Sequence, residues 1–278
     1  MTNLSGTTIL ALALPFALTF IYFYYKNHKT KYLIFSSVGD RNNIQSWVSG
    51  PCKKNFDLVI YYFGEQNDPE FDADLIVKRK GLKFANFHHF LNHNDVSQYD
   101  AMWVVDDDII MDTASINKMF SLFSKYKLWL AQPSFSEGSR ISWDITQKNP
   151  DCILRFTNFV ENGATIYSRK ILPQLIKTFK DARTGYGVDL IWPKLLGYPK
   201  NKIAIIDAVA CCHPKGVESS LDKAIPREQH LTQGVELLNN YGLLSPYCDL
   251  LNCDTWDLLY KQLPHEAREF REYSRIKK

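Results

Sequence analysis

Residues Met102 to Asp108 read MWVVDDD, an apolar run that ends in three adjacent carboxylates. A buried strand of this pattern delivers Asp106, Asp107 and Asp108 to its own C-terminal edge, where open α/β sheets bind their ligands. Concentrated negative charge there calls for a cation. A hard divalent ion such as Mg2+ or Mn2+ takes oxygen ligands, keeps part of its water shell and bridges one or two carboxylates to a substrate diphosphate. The run is therefore read as a nucleotide-diphosphate site. The plain alternative is a solvated acidic turn or a helix N-cap, because TASINKMF follows and Asp caps helices well.

Outward from this run, apolar stretches alternate with amphipathic ones. KYLIFSSVGD and FDLVIYYFG each read as a strand entering a glycine-containing turn; DADLIVKRKG, KLWLAQPSF and KIAIIDAVACCH supply further strands. FANFHHFLNH and SINKMFSLFSKY lie between the earlier strands as helices. This alternation predicts an α/β fold, a mostly parallel sheet flanked by helices on both faces. From Ser134 to Asn158 the sequence is polar and irregular, the signature of a long functional loop. No repeat or low-complexity linker intervenes, so residues 30–278 read as one catalytic domain.

With 278 residues, 45% of them hydrophobic, the chain can bury one large core or two small ones. Its 33 Lys plus Arg against 30 Asp plus Glu leave a net charge of +3, too small to argue for nucleic acid. The basic tail from Arg268 to Lys278 reads as a solvated helix end. Cysteines stand at 52, 152, 211, 212, 248 and 253, with no CxxC pair and no Cys/His spacing of a zinc site. Cys211 and Cys212 read as small buried residues, and Cys248 and Cys253 as a candidate local bridge in an oxidising compartment.

The stretch Thr7 to Tyr25 (TTILALALPFALTFIYFYY) carries no charge and approaches the roughly 20 residues that a bilayer-spanning helix needs. Residues 1–29 are accordingly expected to form a single-pass N-terminal transmembrane helix. A cleavable signal peptide would want a basic start and a small-residue cleavage site, and the run ends instead in IYFYY. Lys26, Lys29, Lys31 and Arg41 behind it favour a cytosolic catalytic side, whereas a secretory-pathway enzyme would face the lumen.

Taken in order, VVDDD, QPSFSEGSRISWDIT, RFTNFVENGATIYSR, GYGVDLIWPKLLG and IAIIDAVACCHPK resemble GT-A-fold glycosyltransferases, whose sheet is Rossmann-like. More closely, they resemble a bacterial and plant family of glycosyltransferase-like proteins formerly of unknown function. The resemblance covers roughly Lys31 to Gly216. It implies that Asp106 and Asp108 are the outer residues of a DxD motif, Asp108 binding Mn2+ or Mg2+ and Asp106 lying near the donor ribose or reaching the metal through water. Asp107 would point elsewhere or support the loop. His213 would complete the metal site, and Lys215 would neutralise the departing diphosphate. For these two the alternatives are a satisfied histidine at a strand end and a surface lysine.

Asp189 occupies the place of the general base that strips the acceptor hydroxyl of its proton in inverting members of the fold. Its alternative role is to cap the following helix. Val38, Gly39 and Asp40 at the end of the first strand, with Lys83, would contact the nucleotide. Trp143 and Tyr186 are candidate platforms for a sugar face, Gly187 lets backbone approach a ligand, and Glu161 is placed to accept hydrogen bonds from acceptor hydroxyls. Packing is the alternative for Trp143, and a salt bridge to Arg155 or Arg169 for Glu161. Trp192 reads as core. Tyr186 stands where a Trp is usual, Asn162-Gly163 replaces bulkier apolar residues, and Pro-Lys follows His213 in place of a Thr-Arg-like continuation.

The resulting expectation is a membrane-anchored, metal-dependent glycosyltransferase that moves a sugar from a nucleotide-diphosphate donor to a hydroxyl of a glycan, glycolipid or glycoprotein, with inversion. One rival is a metal-dependent phosphohydrolase, disfavoured because Ile109 and Ile110 replace the small Gly-Thr pair usual after its aspartates. The other is a non-catalytic sugar- or nucleotide-binding member of the fold.

Overall fold

The computed structural model describes residues 31–216, 225–244, 263 and 265–278. Its strands are β1 (Tyr32–Val38), β2 (Phe56–Tyr62), β3 (Leu75–Lys78), β4 (Ala101–Val105), β5 (Leu130–Phe135), β6 (Cys152–Thr157), β7 (Ala164–Ser168), β8 (Ile203–Cys211) and β9 (Glu272–Lys277). They form one sheet in the order β3-β2-β1-β4-β7-β5-β8-β6-β9. The helices are α1 (Ile44–Trp47), α2 (Lys83–His93), α3 (Thr113–Lys125), α4 (Leu172–Asp181), α5 (Val188–Leu195), α6 (Arg227–Asn240) and α7 (His265–Arg268).

Strand β4 explains why the sheet is covered on both faces. All five residues of AMWVV are buried, and successive side chains of a strand point to opposite faces. Met102 and Val104 enter one core with Phe84, Phe87 and Phe90 of α2, Phe179 of α4 and Trp192 of α5. Ala101, Trp103 and Val105 enter the other with Trp47 of α1 and Ile116, Met119, Phe120 and Phe123 of α3. The α3 positions recur at helical spacing, so one face of that helix is apolar. Asp112 starts the helix, its carboxylate accepting from the Ser115 N–H at 2.7 Å. The cap is thus Asp112, and the three aspartates before it are left for other work.

The sheet is mixed, where a mostly parallel one was expected. Strands β1, β2 and β3 run parallel, as do β1 with β4 and β5 with β8. β7 is inserted antiparallel between β4 and β5, and β6 is antiparallel to both β8 and β9. β6 and β7, joined by residues 158–163, are separated in the sheet by β5 and β8 and both run against them. β6 lies inside the stretch expected to be an irregular loop, and its ladders with β8 and β9 make it a strand. The basic tail likewise forms the edge strand β9 in place of a helix end.

The expectation of a single-pass membrane protein is corrected. Among the described residues, no helix is long and apolar enough to cross a membrane. The longest of these, α6, has 14 residues and rises only ~21 Å at ~1.5 Å per residue, against a hydrocarbon core of ~30 Å. Thr7 to Tyr25, on which the expected anchor rests, lies outside the described residues, as do Cys248 and Cys253. Cys52, Cys152, Cys211 and Cys212 are free thiols.

Candidate active site

Because β7 pairs antiparallel with both β4 and β5, the strands β1, β2, β3, β4, β5 and β8 share one direction and end on one edge. The residues that precede the antiparallel β7 arrive at that same edge. It therefore gathers the turns after β1, β4 and β8 together with Glu161, Asn162 and Gly163.

The aspartate turn is held tightly. Ile109 N–H donates to the Asp106 carbonyl at 3.2 Å, and the Asn43 backbone N–H donates to the Asp107 carbonyl at 2.7 Å. The Asn43 side-chain amide reaches the Asp108 carbonyl at 2.7 Å, and Trp47 Nε1 the Ile109 carbonyl at 2.7 Å. Asn43 and Trp47 thus fix the backbone while leaving the carboxylates free to point elsewhere. Neither is marked by the sequence, because a residue far along the chain from any motif carries no local signal.

Each carboxylate finds a different partner. Asp106 Oδ1 accepts from Lys83 Nζ at 2.6 Å, and Asp107 Oδ2 accepts from the Gly39 N–H at 2.8 Å. Asp108 Oδ2 lies 3.3 Å from His213 Nε2. Burial, with the neighbouring aspartates adding to it, pushes the Asp107 carboxyl up to about 7 despite the Gly39 bond. Burial also pushes Asp106 up, against the pull of the Lys83 charge. For Asp108 burial acts upward too, but the His213 hydrogen bond and the charges of His213, Lys83 and Arg140 outweigh it and hold the carboxyl below its ordinary value. His213 is the mirror case: burial alone would lower the imidazole, and Asp108, Asp106 and Glu161 raise it.

What brings Asp108 to His213 is a backbone bridge beside them. Ile110 N–H donates to Cys212 O at 2.9 Å and Cys212 N–H to Ile110 O at 3.1 Å. The turn after β5 closes over the other side, with Arg140 N–H on the His213 carbonyl at 2.8 Å and His213 N–H on Ser139 Oγ at 3.3 Å. Buried Asp108 Oδ1 and His213 Nδ1 have no hydrogen-bond partner among the described residues. Unsatisfied buried groups of this kind point to a missing ion or water, and one carboxylate with one imidazole suits a divalent metal such as Mn2+. Yet among the described residues no three His, Cys, Asp or Glu side chains group to hold a metal. The expected trio of Asp106, Asp108 and His213 is divided, since Lys83 takes Asp106.

Asp189 lies in the first turn of α5 and is buried. Its Oδ2 accepts from Asn162 Nδ2 at 3.3 Å. Burial and then the negative charge of Glu161 push its carboxyl up to about 7, although nearby backbone N–H groups, its own among them, act in the opposite direction. Gly187 precedes the helix at φ +81°, a left-handed conformation open chiefly to glycine. Glu161 does not pair with Arg155, which instead grips Asp207 through Nε at 2.8 Å and Nη2 at 2.9 Å. Burial pushes Glu161 up to about 7 as well, and its Oε2 has no hydrogen-bond partner among the described residues.

The remaining candidates are more dispersed. Asp40 accepts from the Tyr62 hydroxyl and from the Glu65 N–H, tying the turns after β1 and β2 together. Val38 is buried at the end of β1, its carbonyl accepting from Phe63 N–H at 2.9 Å. Trp143 packs edge-on against Phe270 at 4.9 Å and Phe159 at 5.7 Å, and Tyr186 lies 4.8 Å from the His230 ring. Trp192 is core. Lys215 is exposed just beyond β8.

This architecture matches the GT-A fold. A family model described as "Protein of unknown function (DUF707)" matches residues 22–159. Glucosyl-3-phosphoglycerate synthase from Mycobacterium tuberculosis, solved with Mn2+, UDP and phosphoglyceric acid, is similar at 15% identity with a TM-score of 0.50, covering 80% of this chain and 81% of that one. S. aureus TarS is similar at 9% identity with a TM-score of 0.48 over 86% of this chain, which spans 50% of TarS. Its portion 1–349 in complex with UDP-GlcNAc is similar at 11% identity with a TM-score of 0.48, covering 77% of this chain and 65% of that one. No curated protein matches the chain.

Proposed function

We propose that the chain is a metal-dependent glycosyltransferase that moves a sugar from a nucleotide-diphosphate donor to a hydroxyl of a glycan, glycolipid or glycoprotein. The observation that carries this reading is the Asp108–His213 pair at 3.3 Å on the ligand edge of the sheet, with one unsatisfied atom on each partner. Asp108 and His213 would hold Mn2+ or Mg2+, with Asp106 nearby or bound through water. When bound, the metal supplies positive charge to the leaving diphosphate.

The chain's own residues account for the rest. Val38, Gly39 and Asp40 shape the nucleotide side, and Lys83, already beside Asp106, is within reach of donor oxygens. Lys215 adds charge where the diphosphate leaves. Asp189 removes the acceptor proton as the hydroxyl attacks the anomeric carbon, which gives inversion. A carboxyl raised to about 7 suits a base working near neutral pH. Glu161 accepts hydrogen bonds from acceptor hydroxyls, while Trp143, Tyr186 and Gly187 border the sugar.

The test is a panel of nucleotide sugars incubated with the full chain in Mn2+ or in chelator. Metal-dependent cleavage of one donor is the expected result; no donor binding in Mn2+ would overturn the proposal. A nucleotide-sugar-binding protein without turnover is the second reading, favoured by the engagement of Asp106 with Lys83. Binding without cleavage would mark it.

A further inference from the structure

The loop ahead of β7 joins the two ends of the site through one residue. The Asn162 carbonyl accepts from Lys83 Nζ at 2.9 Å, and the same ammonium pairs with Asp106 at 2.6 Å. Its side-chain amide donates to the Gly185 carbonyl at 2.9 Å and to Asp189 Oδ2 at 3.3 Å. Next to it, the Gly163 carbonyl accepts from the Asp106 N–H at 2.8 Å. Asn162 therefore touches the donor-side pair with its main chain and the candidate base with its side chain. A neutral amide is suited to that second contact. It donates to a carboxylate oxygen without competing for the acceptor proton, and a buried carboxylate with no donor aimed at it reverts to its neutral form.

Resting on the glycosyl-transfer reading above, we propose that Asn162 is a positioning residue whose amide aims the Asp189 carboxylate at the acceptor hydroxyl and ties that aim to the Lys83–Asp106 pair. The amide's two bonds also hold the Gly185 to Gly187 turn, from which α5 starts. A base held this way keeps its orientation whether or not acceptor is present.

The experiment compares donor affinity and kcat for wild type, Asn162→Ala and Asn162→Asp in Mn2+ at pH 8. Asn162→Ala is expected to lower kcat by roughly 10- to 100-fold, the scale of a misplaced reacting group. Donor Kd should stay within about twofold, because the Lys83 contact uses the main chain. Asn162→Asp keeps the shape but cannot donate and sets a like charge beside Asp189, so its kcat should fall further. A role in packing alone predicts the opposite order, with the isosteric Asp harmless. Unchanged kcat in Asn162→Ala, or a fully active Asn162→Asp, overturns the proposal while wild-type turnover preserves the reading beneath it. No turnover by wild type removes both.

Discussion

Asp108 and His213 face each other at 3.3 Å because two strand ends, β4 and β8, are latched by the Ile110–Cys212 bridge. The pair is buried enough for each partner to shift the other, Asp108 downward and His213 upward. On the proposed reading, a metal ion would replace the proton held between this carboxylate and imidazole.

Replacing either partner by alanine should therefore abolish metal-stimulated donor cleavage and weaken Mn2+ binding by roughly 100-fold. Titration of Mn2+ into wild type, Asp108→Ala and His213→Ala reads this directly. Full metal stimulation in either variant would detach the metal from the pair.

Asp189→Asn should cost about 10²- to 10⁴-fold in turnover, the range for loss of a general base, with donor affinity unchanged. The pH dependence has a definite sign. Only the ionised carboxyl accepts a proton, and its value stands at about 7. Turnover should be flat above that pH and fall about tenfold per unit below it. A pH–kcat profile whose acid limb lies near 4 would take the role away from this residue.

Gly163 carries no side chain where Asp106 passes. A Cβ there would lie 3.0 Å from Asp106 Oδ2, so Gly163→Ala must push the carboxylate aside. We expect donor affinity to fall by about tenfold, roughly 1.4 kcal/mol, with little change in Tm. Unaltered donor binding, measured by calorimetry, would show that Asp106 need not stay where it is.

Arg155 and Asp207, neither of them a candidate site residue, form a buried ion pair at 2.8 Å. A bulge in β8 opposite Pro133 and Ser134 exposes Asp207 to Arg155, which also donates to the carbonyls of Ile145 and Gln147. Asp207→Ala leaves a buried guanidinium unpaired and should destabilise the chain by about 3–5 kcal/mol. Denaturant unfolding measures it, and a loss below about 1 kcal/mol would mean that water replaces the carboxylate.

Much of this molecule is legible in its amino-acid sequence. AMWVVDDD announces its strand because five apolar residues must be buried on both faces of a sheet, and charge then has to leave the core at the strand's end. The runs around Leu33, Val59 and Ile205 follow the same rule, and so do the apolar faces of α2 and α3. Local pattern could not reveal the antiparallel insertion of β7, since its direction is set by pairing with β4 and β5, which lie far from it in the chain. β6 escaped for a related reason. CILRFT sits in a polar stretch and is broken by Arg155, and only its pairing with β8 and β9 makes it a strand.

The sequence by itself determined the alternating strands and helices, the two-sided core and the aspartate run at a strand's end, because burial pattern is a property of neighbouring residues. Which carboxylate meets which partner was decided by the tertiary structure alone. Lys83 on Asp106, Gly39 on Asp107, His213 on Asp108 and Asn162 on Asp189 are contacts between residues distant in the chain. Their distances, burial and resulting charge states exist only once the strand ends have converged on one edge.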